Sequence, residues 1–235
     1  NLKIIESLHC VHAVFTVLSG EGEALNVDPY RFYKHTYCLI SRLLTLPNNQ
    51  LLEALSLLLQ CLHMMINRRK KLICSARVAA FAKRLTLMLF LVPSDLILPL
   101  VAAIASYITS HGHLDVMVDS EGGGSGSYTP DVNDPEHCGA LNAKLFELKY
   151  FLRRHPDSRV RSYVNYILSR GLESTTSHRL PPALLQQRPW EFLPESTEGC
   201  NWDTSVIQWK NRNHVTFSKL SAEVEKLLRN KNTQD

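Results

Sequence analysis

The chain has 235 residues, 45% of them hydrophobic and 20% charged, with a formal net charge of +4. That is globular composition, which excludes a disordered tail or a collagen-like repeat and allows one large domain or two small ones. A charge of +4 does not mark a nucleic-acid binder, but its distribution is uneven. Lys and Arg outnumber Asp and Glu by 11 to 7 in residues 1–115 and by 8 to 2 in residues 148–188. They are outnumbered 1 to 6 in residues 116–147, and the balance is 6 to 7 in residues 189–235. An acidic block between two basic ones implies separate surfaces for separate partners.

The chain opens on Asn1-Leu2-Lys3-Ile4-Ile5 as if already inside a helix, and so reads as a segment of something longer. From there the dominant signal is helical. Leu8, Val11, Phe15 and Leu18 recur at three- and four-residue intervals, as do Tyr33, Tyr37, Ile40 and Leu44. The spacing returns in Leu51, Leu55, Leu58, Leu62 and Met65, and again in Val78, Ala82, Leu85 and Leu89. Each set lays an apolar stripe along one helix face, and no segment alternates with the two-residue period of a strand. Asp28-Pro29 reads as a helix start, with the carboxylate capping free amides and Pro29 in the first turn. Ser75 reads as the cap of a helix over Arg77–Leu91. Five helices of similar length therefore precede His113, joined by turns short enough to make neighbours antiparallel. The most apolar stretch, Leu85–Ile108, is broken by Pro93-Ser94-Asp95 and Pro99, well short of the ~20 residues that span a bilayer.

Residues 115–133 break the pattern with an acidic, glycine-rich loop around Gly122-Gly123-Gly124-Ser125-Gly126. Asp134-Pro135-Glu136 then repeats the Asp-Pro start for a helix expected to reach about Arg154, with Arg153, Arg154 and His155 at its negative end. Pro156 stops it, and Val160, Val164 and Ile167 stripe the next helix, which Gly171 terminates. Beyond it come Pro181-Pro182, Pro189-Trp190 and Pro194, with a short helix over Phe217–Leu228. Such a tail lies extended over the preceding domain, pinned by Trp190, Phe192, Trp202 and Trp209. The expected fold is all-α: a HEAT- or armadillo-like helical repeat over residues 1–172, followed by an extended, irregular tail over 173–235.

Motifs for chemistry are weak. A phosphate loop needs GxxxxGK[S/T], but Gly126 precedes Ser127 and no strand feeds the turn. A calcium loop from Asp119 would place Pro130 where the bidentate Glu belongs. His9 with His12, and His111 with His113, come without thiols or carboxylates at metal-site spacing. Glu136 beside His137 is explained by a helix start. The six cysteines never fall within a CxxC interval and mostly sit among apolar neighbours, as buried reduced thiols do. No catalytic residue, metal site or cofactor is expected. The densest basic cluster is Arg68-Arg69-Lys70-Lys71. It complements the negative end of a helix or contacts phosphates or an acidic segment. Arg153, Arg154, Arg159 and Arg161 form a second candidate patch at a helix corner.

Several stretches, in order over about residues 10–168, resemble the CCAAT-binding-factor-like family of nucleolar ribosome-assembly factors, and within it the C-terminal part of the nucleolar complex protein 3 group. Leu18 to Tyr33 is similar to that group's SGxGExLNxDPxxFY segment. Gln60 to Lys71 and Ala80 to Leu85 resemble its next stretch. Asp119 to Asn142 is similar to its DxExxGSGxYxPxxxDPEYCxAxN loop, and Leu145 to Val160 to its closing helix pair, with Phe146 where the family usually has Trp. The match weakens after Gly171.

The resemblance implies a non-enzymatic assembly factor of the large ribosomal subunit, acting in pre-60S maturation and rRNA processing in nucleolus and nucleoplasm. Its implied partners are nucleolar complex protein 2, as a heterodimer, together with pre-60S proteins and pre-rRNA; no membrane or small-molecule substrate is implied. The alternative is a chromatin-bound factor in DNA replication initiation. Charge then makes Arg68, Arg69, Lys70, Lys71, Arg153, Arg154, Arg159 and Arg161 candidate contacts to rRNA or an acidic partner. The loop residues Asp119, Glu121, Tyr128, Pro130 and Asp134 are expected to dock on a neighbouring molecule.

Overall fold

A computed structural model describes residues 3–20, 22, 27–118, 128–149, 155–170 and 179–194. Every long regular element among them is a helix, and no strand occurs among the described residues. The five expected N-terminal helices are α1 (Ile4–Leu18), α2 (Tyr30–Leu43), α3 (Asn48–Leu62), α4 (Ser75–Met88) and α5 (Ile97–Ser110). Two more follow, α6 (Ser158–Arg170) and the short α7 (Pro182–Gln186). Helices pack on their neighbours in sequence or on the next but one: α1 on α2 and α3, α2 on α3 and α4, α4 on α5, and α5 on α6. That is the pattern of stacked helical repeats, and the all-helical expectation is borne out.

The apolar stripes read from sequence become one core. Leu8, Val11, Phe15, Tyr33, Tyr37, Ile40, Leu55, Leu58, Leu62, Met65, Val78, Leu85 and Ile104 are all but sealed from solvent. α5 is apolar nearly all round, and its residues from Ile97 to Ala105 are buried, as are Tyr107 and Ile108. A helix of that kind must be covered on every side. Here the covers are α4, α6 and the segment around Pro189–Phe192. Pro99 does not break α5, because it falls in the first turn, where no intrahelical amide bond is lost.

α3 does not stop at Leu62 but widens into a π turn over His63–Arg68. Its carbonyls are met from outside: the Tyr33 hydroxyl donates to the Met65 carbonyl at 3.2 Å, and the His111 ring reaches the Ile66 carbonyl at 3.4 Å. Asn67 on the same turn donates to Ser106 and Ser110 of α5. The π turn is thereby stitched to both flanking helices.

Three boundaries differ from expectation. Pro29, not Asp28, sits at the cap of α2, and its carbonyl accepts the Phe32 and Tyr33 amides; the Asp28 carboxylate is drawn away to Arg77. Cys74 precedes α4, so Ser75 is its first residue, and the helix ends at Met88. No helix starts at Asp134. Residues 135–138 form a turn, Gly139 takes a left-handed conformation (φ 71°) that only glycine adopts cheaply, and helical backbone resumes at 146. The cysteines differ as well: Cys61 and Cys138 are buried, while Cys10 and Cys74 are exposed.

Residues 179–194 pack over α5 and α6, and this stretch, expected to be extended, holds α7 and a helical turn over Pro189–Phe192. The Tyr163 hydroxyl donates to the Leu184 carbonyl at 2.7 Å, Phe192 meets Tyr163 edge-on, and Trp190 meets His63 with ring centroids 5.3 Å apart. Gly171, Trp202, Trp209 and the helix expected over 217–228 lie outside the described residues.

Phe15 of α1 is fully buried and edge-on to Tyr33 of α2 at 5.2 Å. Phe15→Ala is expected to cost about 3–5 kcal/mol of stability, read as an earlier urea midpoint with an unchanged slope. A shift below about 1 kcal/mol would contradict this packing.

Candidate docking surface

α4 carries three cations into the interior. Arg77, Lys83 and Arg84 are 5%, 2% and 1% exposed, because the residues of α4 from Arg77 to Met88 are buried on every face. A buried charge costs several kcal/mol unless paired and hydrogen-bonded. Each of the three has found partners, and most of them come from residues 128–147.

Arg77 makes two parallel bonds to the Asp28 carboxylate, both 2.6 Å, and a third to Glu136 at 2.7 Å. Its guanidinium also lies over the Tyr33 ring, 4.8 Å from the centroid. The bidentate bond to Asp28 raises its pKa further. Lys83 donates to the Lys144 carbonyl at 2.8 Å and to the buried Glu147 carboxylate, with the Phe146 ring 4.3 Å away. Burial pushes the Glu147 carboxyl up, and the Lys83 ammonium opposes that shift. Arg84 stacks on the Tyr37 ring at 3.4 Å and donates to the carbonyls of Tyr37, Pro130 and Val132.

The acidic segment is thus held against its own chain. Tyr128 is half-buried on the core, and the Thr129 amide closes the loop on the Cys138 carbonyl at 2.9 Å. Asp134 accepts bonds from the Tyr30 hydroxyl, Lys34 and the Glu136 amide, with His137 3.2 Å away. Burial alone would raise the Asp134 carboxyl, but those bonds outweigh it and hold it far below the usual carboxylate range. Asp28 is likewise lowered, by its bonds from Arg77. Tyr128, Pro130 and Asp134, expected to reach a neighbouring molecule, contact α2 and α4 of their own chain and stay partly exposed. Asp119 and Glu121 lie outside the described residues.

The basic cluster divides. The π turn ends at Arg68, and Arg68, Lys70 and Lys71 point to solvent. Arg69 is withdrawn beneath them, 5% exposed, bonding the Leu18 carbonyl at 2.8 Å and the Val27 carbonyl at 2.9 Å. It ties the ends of α1 and of the α1–α2 connection together rather than facing a partner. Exposed apolar side chains flank this end: Val17, Val27 and Leu72. In the second patch, Arg159 pairs with Asp157 at 2.9 Å, and Arg161 turns back on the His155 and Pro156 carbonyls. Arg153 and Arg154 lie outside the described residues. Sequence reading passed over a third set, Arg31, Lys34, His35 and Arg42, all exposed on α2. Their spacing was readable, but it interleaves with the core stripe of the same helix. Among the described residues, no group of three or more His, Cys, Asp or Glu side chains is placed to hold a metal ion.

Residues 7–164 match the CBF/Mak21 family. Over 194 residues the chain is 36% identical to the human "Nucleolar complex protein 3 homolog", which covers 82% of this chain and 24% of that protein. Over 193 residues it is 38% identical to the mouse protein of the same name, covering 82% and 23%. Identity to the Drosophila melanogaster "Nucleolar complex protein 3" is 34% over 178 residues, covering 75% and 21%. The chain spans about a quarter of the length of these relatives.

Two outcomes follow from the buried charges. Lys83→Met strands Glu147 in the core and is expected to cost about 3–5 kcal/mol. Adding Glu147→Leu should recover most of it in urea unfolding; equal losses for the single and double variants would contradict the pairing. Asp28 and Asp134 ionise more readily folded than unfolded, so as pH falls the unfolded chain takes up protons first. Their stabilisation is complete above about pH 4–5, just over the unfolded Asp value, and is lost as pH falls through the folded values. Asp134→Asn should therefore lower stability at pH 7 and flatten the acid limb of a stability–pH profile. An acid limb as steep as the parent's would contradict this.

Proposed function

The chain belongs to the CBF/Mak21 family, and from that premise we propose that it is part of a nucleolar assembly factor of the large ribosomal subunit, working without catalysis. The observation that carries the reading is the in-order match, at 31–38% identity over most of the chain, to proteins named nucleolar complex protein 3. The architecture supports it. Stacked helices present broad faces, and broad faces suit docking to other macromolecules better than enclosing a small substrate.

In this reading the protein pairs with nucleolar complex protein 2 and travels with pre-60S particles from nucleolus to nucleoplasm, assisting rRNA processing and particle maturation. Helix faces contact the partner protein, and exposed cations contact pre-rRNA phosphates or acidic tails. Arg68, Lys70 and Lys71 are suited to that role because they face solvent together at the end of the π turn. Arg69 is not available for it, because its guanidinium is committed to two backbone carbonyls. Residues 1–172 act as the docking domain, and 173–235 as a strap that extends it.

Affinity purification of the tagged protein from nuclear extract tests the reading. Pre-rRNA, large-subunit proteins and nucleolar complex protein 2 are the expected co-purifying species. Replication-licensing factors without pre-rRNA would overturn it in favour of a chromatin role. Arg68→Glu with Lys70→Glu and Lys71→Glu should weaken co-sedimentation with pre-60S particles, with the deficit against the parent largest at low salt and helical circular dichroism unchanged. Undiminished co-sedimentation would remove these three residues from the interface.

A further inference from the structure

The outward face of α2 carries a charge pattern that the fold does not explain. Arg31, Lys34, His35, Cys38 and Arg42 fall within about 100° of arc on a helix turning 100° per residue. They extend about 16 Å along the axis at 1.5 Å per residue. Arg31, Lys34, His35 and Arg42 are exposed, and α2 contains no acidic residue. Among the described residues, no carboxylate lies within ion-pair distance of Arg31 or Arg42. Lys34 alone is partly occupied, 3.3 Å from Asp134.

Local stability does not account for the set. Arg42 lies in the last turn, where a cation complements the helix dipole, but Arg31 lies in the first turn, where the dipole disfavours positive charge. The inner face of the same helix packs the core through Tyr33, Thr36, Tyr37, Leu39, Ile40 and Leu43, while Cys38, between Lys34 and Arg42, is half-buried with its thiol donating to the Asn133 carbonyl at 3.7 Å. Arg69 binds the Val27 carbonyl just ahead of α2, and the exposed Lys70 and Lys71 follow it in the chain. The cations of the face itself are Arg31, Lys34 and Arg42, with Lys34 shared with Asp134. Arginine at such positions offers paired donors that fit phosphate oxygens.

We propose that this face of α2 is a contact site for the phosphate backbone of RNA, read through charge and not through base sequence. The inference rests on the assembly-factor reading for its choice of RNA over other polyanions. Arg31 and Arg42 stand in solvent without an ion-pair partner among the described residues, and Asp134 engages only Lys34, so the face keeps a net positive charge whose guanidinium donors match phosphate oxygens. Sequence-independent contacts of this kind position a protein on a folded RNA and are strongly salt-dependent.

The test uses the 235-residue chain and a fluorescently labelled 20-base-pair RNA duplex, with anisotropy read between 50 and 200 mM KCl. Arg31→Gln with Arg42→Gln leaves Lys34 and its Asp134 contact in place, so the fold is expected to survive, as circular dichroism would report. Affinity should fall about tenfold at 100 mM KCl, and the slope of log K against log salt should flatten by about 1.5, near 0.7–0.9 for each lost contact. Arg31→Glu with Arg42→Glu should lower affinity further. An unchanged affinity and slope in both variants would overturn the proposal, as would parent protein that does not bind the duplex. Tighter binding to a polyglutamate peptide of equal charge would assign the face to an acidic protein segment and overturn it equally. The purification described above separates the two readings. If the parent protein recovers pre-rRNA while the α2 variants bind RNA normally, only the assignment of this face falls.

Discussion

Three positive charges inside one helix set the terms for most of this structure. α4 is buried on every side, yet carries Arg77, Lys83 and Arg84. Cations so placed are tolerable only with near-complete hydrogen bonding, and α4 alone cannot supply it. The partners come from two directions. Asp28 takes one side of Arg77 and the Tyr37 carbonyl of α2 one donor of Arg84, and residues 130–147 supply further carbonyls and carboxylates. The loop is therefore ordered for a reason internal to the fold: without it, α4 would present unsatisfied charge to a hydrophobic core. The buried Lys83–Glu147 pair illustrates the balance, since burial pushes the Glu147 carboxyl toward neutrality while Lys83 holds it back.

This constraint sorts the charged residues by role. Those that close the interior are Arg69, Arg77, Lys83, Arg84, Asp28, Asp134, Glu136 and Glu147, and each has partners within the chain. Those that stay in solvent are cations that the core does not need: Arg68, Lys70 and Lys71 on the turn, and Arg31 and Arg42 on α2. Of the acidic block, Asp134, Glu136 and Glu147 are bonded within the chain, while Asp131 is exposed. What remains outward on α2 and the neighbouring turn is positive.

The helical skeleton was legible because its signal is periodic. Phe15, Tyr37, Leu58, Leu85 and Val164 sit in the core where 3.6-residue spacing puts them. The site was much less legible, for identifiable reasons. Asp134-Pro135-Glu136 has the chemistry of a helix start, yet Asp134 is captured by Tyr30 and Lys34, about a hundred positions earlier in the chain. Asp134 still accepts the Glu136 amide, so the local cap bond forms without a helix behind it, and the long-range contacts leave no trace in spacing. Asp28 was misread for the same reason, drawn from its cap to Arg77. Within Arg68-Arg69-Lys70-Lys71, nothing local separates the inward residue from the outward three, because that depends on where Leu18 and Val27 place their carbonyls. Resemblance to a known family singled out the Asp119–Asn142 loop, but not whether it faces in or out.

The dependence of the 128–143 segment on α4 is open to direct measurement by amide hydrogen exchange on the whole chain carrying Arg84→Met. That change removes the donors to the Tyr37, Pro130 and Val132 carbonyls while keeping an apolar stem of similar length. Protection should fall selectively across 128–143 and persist in α1 and α3, which carry none of these three carbonyls. Unaltered protection in the loop, or an even loss through all the helices, would show that the segment is not held by the buried cations.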